Sequence, residues 1–305
     1  MNNKRCYNKH YYKNSKLAEV ITLFEEKSRN YTGIDFSKAP KGSKKVLITG
    51  FDPFQLNQFK FSKLGAKVNV QNPSGVSALN FHGKTIGNAY IQCTMIPVRY
   101  EDFDNGIIEK LINDNISKFD IMMTTSRNDN NFDLERFACK FRGAFYDNMA
   151  IGDASKYVTP TNGLLSTDWD ISRFKQIPNG NEFYETTLPI TKILVGNLKP
   201  SNNIVYYDQS ILDDLGFVSL HPNRKGIQNT TAKNFSLSIV TGKSTDDSGS
   251  GGDYLSNEIM YLATRKRDEL GYNKSKFVGH VHLTNGMIFT DIISILTEII
   301  TNATI

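Results

Sequence analysis

From Lys45 onward, apolar and polar positions fall into segments that switch between two periods. Val46-Leu47-Ile48-Thr49-Gly50 is a continuous apolar run closed by a turn residue, the pattern of a buried strand. Pro73 to Leu79 reads as a short helix, and Ala89 to Val98 as a second strand. Phe103, Ile107, Ile108, Leu111 and Ile112 recur at helical spacing within Asp102–Ile112, and Phe119 to Met123 follows as a third strand. Further along, a helix is predicted near Pro189–Leu198, a strand at Ile204–Tyr207, a helix from Tyr254 to about Leu270 and a strand at Phe277–Leu283. Strands alternating with helices predict an α/β fold: a twisted, largely parallel central sheet in three α/β/α layers. In such sheets, sites gather in loops beyond the strand ends.

Two regions break this rhythm. Residues 1–44 read as an N-terminal extension, with Leu17, Val20, Ile21, Leu23 and Phe24 on one short helical face and Pro40, Gly42 and Ser43 as a linker. Residues 208–250, rich in Asn, Asp, Ser and Gly, read as a surface insertion. Both are expected to be peripheral, because such polar stretches bury too little apolar surface to share the main core. The predicted domain spans 45–286. The remainder, 287–305, is expected to pack on it as an amphipathic helix, since Asp291, Ser294, Thr297 and Glu298 interrupt the apolar run Met287–Ile300.

Composition narrows the class of protein. The 305 residues are 39% hydrophobic and 22% charged, with a formal net charge of +5. The basic run from Lys4 to Lys16 is interleaved with Tyr7, Tyr11 and Tyr12, and reads as a solvated terminus, not as a nucleic-acid surface. The start lacks the apolar core of a secretory signal, and no run approaches the ~20 residues of a membrane span. Cys6, Cys93 and Cys139 are odd in number and form no C-x-x-C pair, which argues against a disulfide framework or a zinc site. Cys93 and Cys139 lie in apolar surroundings and read as inert core thiols. A cytoplasmic, reducing setting is expected.

Three residue types carry candidate chemistry. Alternation puts His280 and His282 on one face of their strand, where a histidine can serve as general base. Ser256 starts a helix after a glycine-rich turn, where free backbone N–H groups can stabilise an oxyanion; the competing role is a helix N-cap. Glu135 follows an Asn-rich loop. Ser, His and a carboxylate can make a triad, and each residue also has an ordinary structural role.

A set of short motifs adds a resemblance. Thr49-Gly50-Phe51-Asp52-Pro53-Phe54 is similar to the TGFxPF loop of type I pyroglutamyl peptidases (pyrrolidone-carboxylate peptidases). Asn72-Pro73-Ser74, Pro97-Val98-Arg99-Tyr100, Glu135-Arg136-Phe137-Ala138 and Thr186-Thr187-Leu188-Pro189 resemble that family's NPS, PVxY, ERxA and TTLP segments. Gly252 to Tyr261 resembles its GxYLCNxxxY segment, and His280-Val281 its IHVP-like strand. The seven pieces stand in the family's order over about 45–285. The resemblance implies the family's three-layer α/β/α fold, with Glu135, Ser256 and His280 as the catalytic set. It also implies a ring pocket lined by Phe51, Phe54 and Asn72, no metal and no cofactor. The implied reaction is hydrolysis of an N-terminal pyroglutamyl residue from a blocked peptide. His280 would deprotonate the nucleophile and Glu135 would orient His280.

The departures are specific. Ser256 stands where the family has its cysteine. Thr124-Thr125-Ser126-Arg127-Asn128-Asp129 replaces the GxAGGR stretch that helps grip the ring, Gln55-Leu56 replaces a glycine pair, and His282 replaces a proline. The extension and the insertion have no counterpart in compact members. The alternative reading is therefore a catalytically inactive homologue that binds a peptide end or a protein partner; a homo-oligomer stays open.

Overall fold

The computed structural model describes residues 15–54, 56, 70–128, 131–140, 147–149, 181, 183–208, 210–213, 216–219 and 254–305. A seven-stranded sheet forms the centre. Its strands are β1 (Lys44–Phe51), β2 (Thr85–Ile86), β3 (Ala89–Ile96), β4 (Ile121–Asn128), β5 (Phe132–Glu135), β8 (Val205–Asp208) and β11 (Phe277–Thr284), in the order β2-β3-β1-β4-β11-β5-β8. The β3–β1, β1–β4, β4–β11 and β5–β8 pairs are parallel, and β11–β5 and β2–β3 are antiparallel. β6 (Phe137–Cys139) and β7 (Phe183–Glu185) make a separate antiparallel pair, as do β9 (Ser210–Asp213) and β10 (Gly216–Ser219).

Both faces of the sheet are covered, which is why its strands are continuous apolar runs instead of alternating ones. One face carries Leu47, Phe51, Met122 and Val278 and packs against α3 (Tyr100–Asp104), α4 (Ile107–Asn115) and α6 (Leu255–Glu269). The other carries Val46, Ile48, Met123, Leu134 and Val281 and packs against α2 (Pro73–Phe81) and α7 (Phe289–Ala303). This is the three-layer α/β fold, with a mostly parallel sheet. In α7, Ile292, Leu296, Ile299 and Ile300 face the core. Among the described residues no helix is long and apolar enough to cross a membrane.

The β1–α2 corner shows why local sequence matters. Asn72 caps α2, its Oδ1 accepting from the Ser74 N–H (3.1 Å), and Pro73 occupies the first turn, where its missing N–H costs nothing. The two chains then pass almost in contact. A Cβ on Gly50 would sit 2.4 Å from the Ser74 carbonyl oxygen, and one on Gly75 would sit 2.4 Å from that of Phe51.

The N-terminal region divides in two. α1 (Ser15–Ser28) leaves Val20 and Phe24 exposed, so its apolar positions do not form a core face. Residues 29–36, expected to be peripheral, dock on the domain. Arg29 pairs with Asp52 at 2.8 Å, Asn30 Nδ2 donates to the Cys93 carbonyl, and Ile34 and Phe36 are buried in the α6-side core. The helix expected over Pro189–Leu198 is α5 (Ile190–Ile193) followed by a short 3-10 turn, because the chain takes a positive φ of 57° at Gly196. Most of the 208–250 insertion lies outside the described residues; β9 and β10 form its first hairpin.

Candidate functional site

On the α6 face, the C-terminal half of the sheet exchanges apolar side chains for polar ones. The register aligns Thr124 with His280, Ser126 with His282, His280 with Glu135, His282 with Asp133, and Glu135 with Asp208. These residues all share one face because strand side chains alternate with period two. Seven polar side chains thus stand together on four neighbouring strands, all but His282 nearly or fully buried. Buried polar groups must find partners or carry a cost, so the pairing pattern is informative.

His280, 1% exposed, has both ring nitrogens engaged. Nδ1 lies 2.8 Å from Thr124 Oγ1, and Nε2 lies 2.8 Å from Ser126 Oγ. Thr124 also donates to the Gly279 carbonyl at 3.3 Å. A hydroxyl has one hydrogen, so this pattern assigns the proton of His280 to Nδ1 and leaves Nε2 to accept from Ser126. Burial, and then the neighbouring His282, hold the His280 imidazole well below its ordinary pKa, which keeps it neutral.

Glu135 pairs with His282, whereas the expected partner was His280. His282 Nδ1 lies 2.6 Å from Glu135 Oε1. Burial pushes the Glu135 carboxyl up to about 7 against the pull of His282. Burial would lower His282, but the Glu135 carboxylate outweighs it and raises the imidazole. Glu135 Oε2 is sealed from solvent with no hydrogen-bond partner. Asp133, whose carboxylate accepts from Asn128 Nδ2, stands beside the pair. One ligand atom each from Asp133, Glu135 and His282 lie within 4.8 Å of one another, the spacing of a metal-ligand set.

Ser256 lies in the first turn of α6 and is partly buried. The residue after it is anchored. Asn257 Nδ2 donates to the Cys139 carbonyl (2.9 Å), and its Oδ1 accepts from the Cys139 N–H (2.8 Å). This pair of hydrogen bonds ties the helix start to the β6 strand just beyond Glu135. Arg267, nearly fully buried, donates to Thr187 Oγ1 and the Glu185 carbonyl, which clamps the far end of α6 to the 185–187 segment. Gly279 lets that segment lie flat on β11, since a Cβ there would fall 2.0 Å from Thr186 Oγ1.

The three expected pocket residues have different surroundings. Phe54 is partly buried, with its ring 5.8 Å from that of Tyr254, two residues before Ser256, which brings the β1 loop to the start of α6. Phe51 is a core residue, 3% exposed. Asn72 spends its side chain on the α2 cap and on the Asp52 carbonyl. Thr124, Ser126, Asp133, Asp208 and Asn257 were not singled out as site residues from the sequence. The period-two alternation beside His280 was the signal that could have flagged Thr124 and Ser126.

The fold matches solved structures. A mutant pyrrolidone carboxyl peptidase from the hyperthermophile Pyrococcus furiosus superimposes with a TM-score of 0.54 at 20% identity, over 85% of this chain and 97% of that one. The same organism's pyrrolidone carboxyl peptidase, solved with its cysteine-free mutant, gives the same score, identity and coverage. This chain therefore has a pyrrolidone-carboxyl-peptidase-like fold. A family model described as PA0049, C-terminal domain, matches residues 45–175. No curated protein gives a significant match.

Proposed function

We propose that this chain uses the pyrrolidone carboxyl peptidase scaffold to bind the amino-terminal end of a peptide, the pyroglutamyl end being the first candidate, without running the family's nucleophilic chemistry. One observation carries the reading: both nitrogens of His280 are occupied by Thr124 and Ser126. For His280 to deprotonate Ser256, Ser126 would have to release Nε2. The residue change points the same way. A cysteine thiol has a pKa of about 8.5 and reaches the thiolate with modest help. A serine hydroxyl needs concerted proton removal by a tightly arranged base. The hydroxyls that hold His280 come from the 124–129 stretch that departs from the family pattern.

A second reading, serine-dependent hydrolysis of pyroglutamyl peptides by Glu135, Ser256 and a histidine, is favoured by the buried Glu135–His282 pair, an imidazole–carboxylate unit of the kind triads use. One experiment separates the two. The purified protein is incubated with a pyroglutamyl-aminomethylcoumarin substrate, and a pyroglutamyl peptide is titrated into it by calorimetry. Binding without turnover is expected. Robust hydrolysis that Ser256→Ala abolishes would replace the first reading with the second, and neither binding nor turnover would sink both.

A further inference from the structure

We infer that Asp133, Glu135 and His282 form a site for a divalent transition-metal cation of the zinc–manganese class, with Asp208 on the adjoining strand as an outer carboxylate. This inference stands independently of the proposed peptide binding, and the family resemblance implies no metal here. Among the described residues this is the group of His, Cys, Asp and Glu side chains whose ligand atoms converge, within 4.8 Å of one another. The second observation is Glu135 Oε2, on a side chain 1% exposed, with no hydrogen-bond partner. Leaving a carboxylate oxygen dry and unbonded is costly, and a cation beside His282 would satisfy it.

Charge points the same way. Asp133 and Glu135 project from the same face of β5, and Asp208 stands opposite Glu135 in the register. All three carboxyl groups are buried. His280 packs edge-on against His282 with ring centroids 4.6 Å apart, but its nitrogens serve Thr124 and Ser126, so it supports the ligand ring without joining the set. The ligands come from paired strands, which hold geometry better than loops. His282 is also where the sequence departs from the family's proline.

The donor set selects the ion class. Carboxylate oxygens with one imidazole and no sulfur suit Zn²⁺ or Mn²⁺ and disfavour thiophilic Cu⁺. Ca²⁺ requires more oxygens.

The test uses the full chain freed of metal with EDTA, titrated with Zn²⁺ or Mn²⁺ by calorimetry. One ion per chain is expected, with affinity lowered at least tenfold by Asp133→Asn and by His282→Gln. X-ray absorption of the zinc-loaded unmutated protein requires no variant to fold; it should show oxygen and nitrogen neighbours with imidazole scattering. No stoichiometric binding up to millimolar ion, sulfur in the coordination shell, or undiminished affinity in a folded Asp133→Asn protein would each overturn the inference.

Discussion

His282 Nδ1 stands 2.6 Å from Glu135 Oε1 although the two residues are 147 apart in sequence and are not direct register partners. The contact runs diagonally across the antiparallel β11–β5 pair, where the register places His280 opposite Glu135 and His282 opposite Asp133. Long side chains reach such diagonal neighbours. Removing one member of a buried pair strands the other. His282→Ala is expected to cost about 3–5 kcal/mol, and Glu135→Gln to cost clearly less in the His282→Ala background than alone. Urea unfolding in EDTA measures this double-mutant cycle; additive effects would show that the pair is not coupled.

Ser256→Cys should alkylate rapidly with iodoacetamide. The new thiol would lie in the first turn of α6, where the helix N-terminus favours the thiolate. Cys93 should stay unmodified in the native protein, because burial pushes its thiol far up; Cys139 is also buried. The variant should nevertheless turn over no pyroglutamyl substrate, because His280 is committed to Thr124 and Ser126. Peptide mapping by mass spectrometry beside a fluorogenic assay checks both halves, and turnover by the variant would show that the nucleophile alone was missing.

The β1–α2 corner should tolerate no added methyl group. Gly75→Ala would place its Cβ 2.4 Å from the Phe51 carbonyl oxygen, which must move. Overpacking of this kind costs about 1–3 kcal/mol, and more when the obstacle is backbone. A loss of stability in that range or above is expected on urea unfolding; a variant as stable as the parent would mean that the strand and helix are farther apart.

Acid should loosen the docked N-terminal segment before the core. Burial alone would raise the Glu25 carboxyl, but Arg29 and Arg99 outweigh it and hold it below the ordinary range. A lowered carboxylate contributes stability that is complete above its unfolded value, about 4.3, and lost as pH falls through the lower folded value. The Asn30 and Tyr31 amides donate back into the end of α1. Their hydrogen-exchange protection, corrected for intrinsic rates, should drop as pH falls from about 5 to 3. Glu25→Gln should flatten that profile; an unchanged profile would remove Glu25 from the account.

His280 should be a neutral imidazole with its proton on Nδ1. Long-range proton–nitrogen spectra at neutral pH would show Nε2 unprotonated, and Ser126→Ala should shift the Nε2 resonance. A cationic ring, or a proton on Nε2, would contradict the assigned hydrogen-bond pattern.

Much of the fold was legible because burial on both faces writes itself into the chain. β1, β3, β4 and β11 are apolar runs that suit little except a covered parallel sheet, and Asn72-Pro73 announces a helix start by its own capping chemistry. β5 was not legible as a strand. Its four residues, Phe132-Asp133-Leu134-Glu135, are half carboxylate, and they are held in place by β11 and β8, which lie far away in sequence. The docking of residues 29–36 was hidden for the same reason, since Arg29 meets Asp52 and Asn30 meets Cys93 only across the fold.

The sequence by itself determined that His280 and His282 share a face, because alternation is a local property of any strand. It also determined that Ser256 stands at a helix start where chemistry can sit. Only the tertiary structure decided which histidine takes the carboxylate. That choice depends on the stagger between β11 and β5 and on the Thr124 and Ser126 hydroxyls that claim His280 first. Same-face neighbours on one strand differ by only about 7 Å. Long-range strand pairing, with no trace in local composition, settles a difference that small.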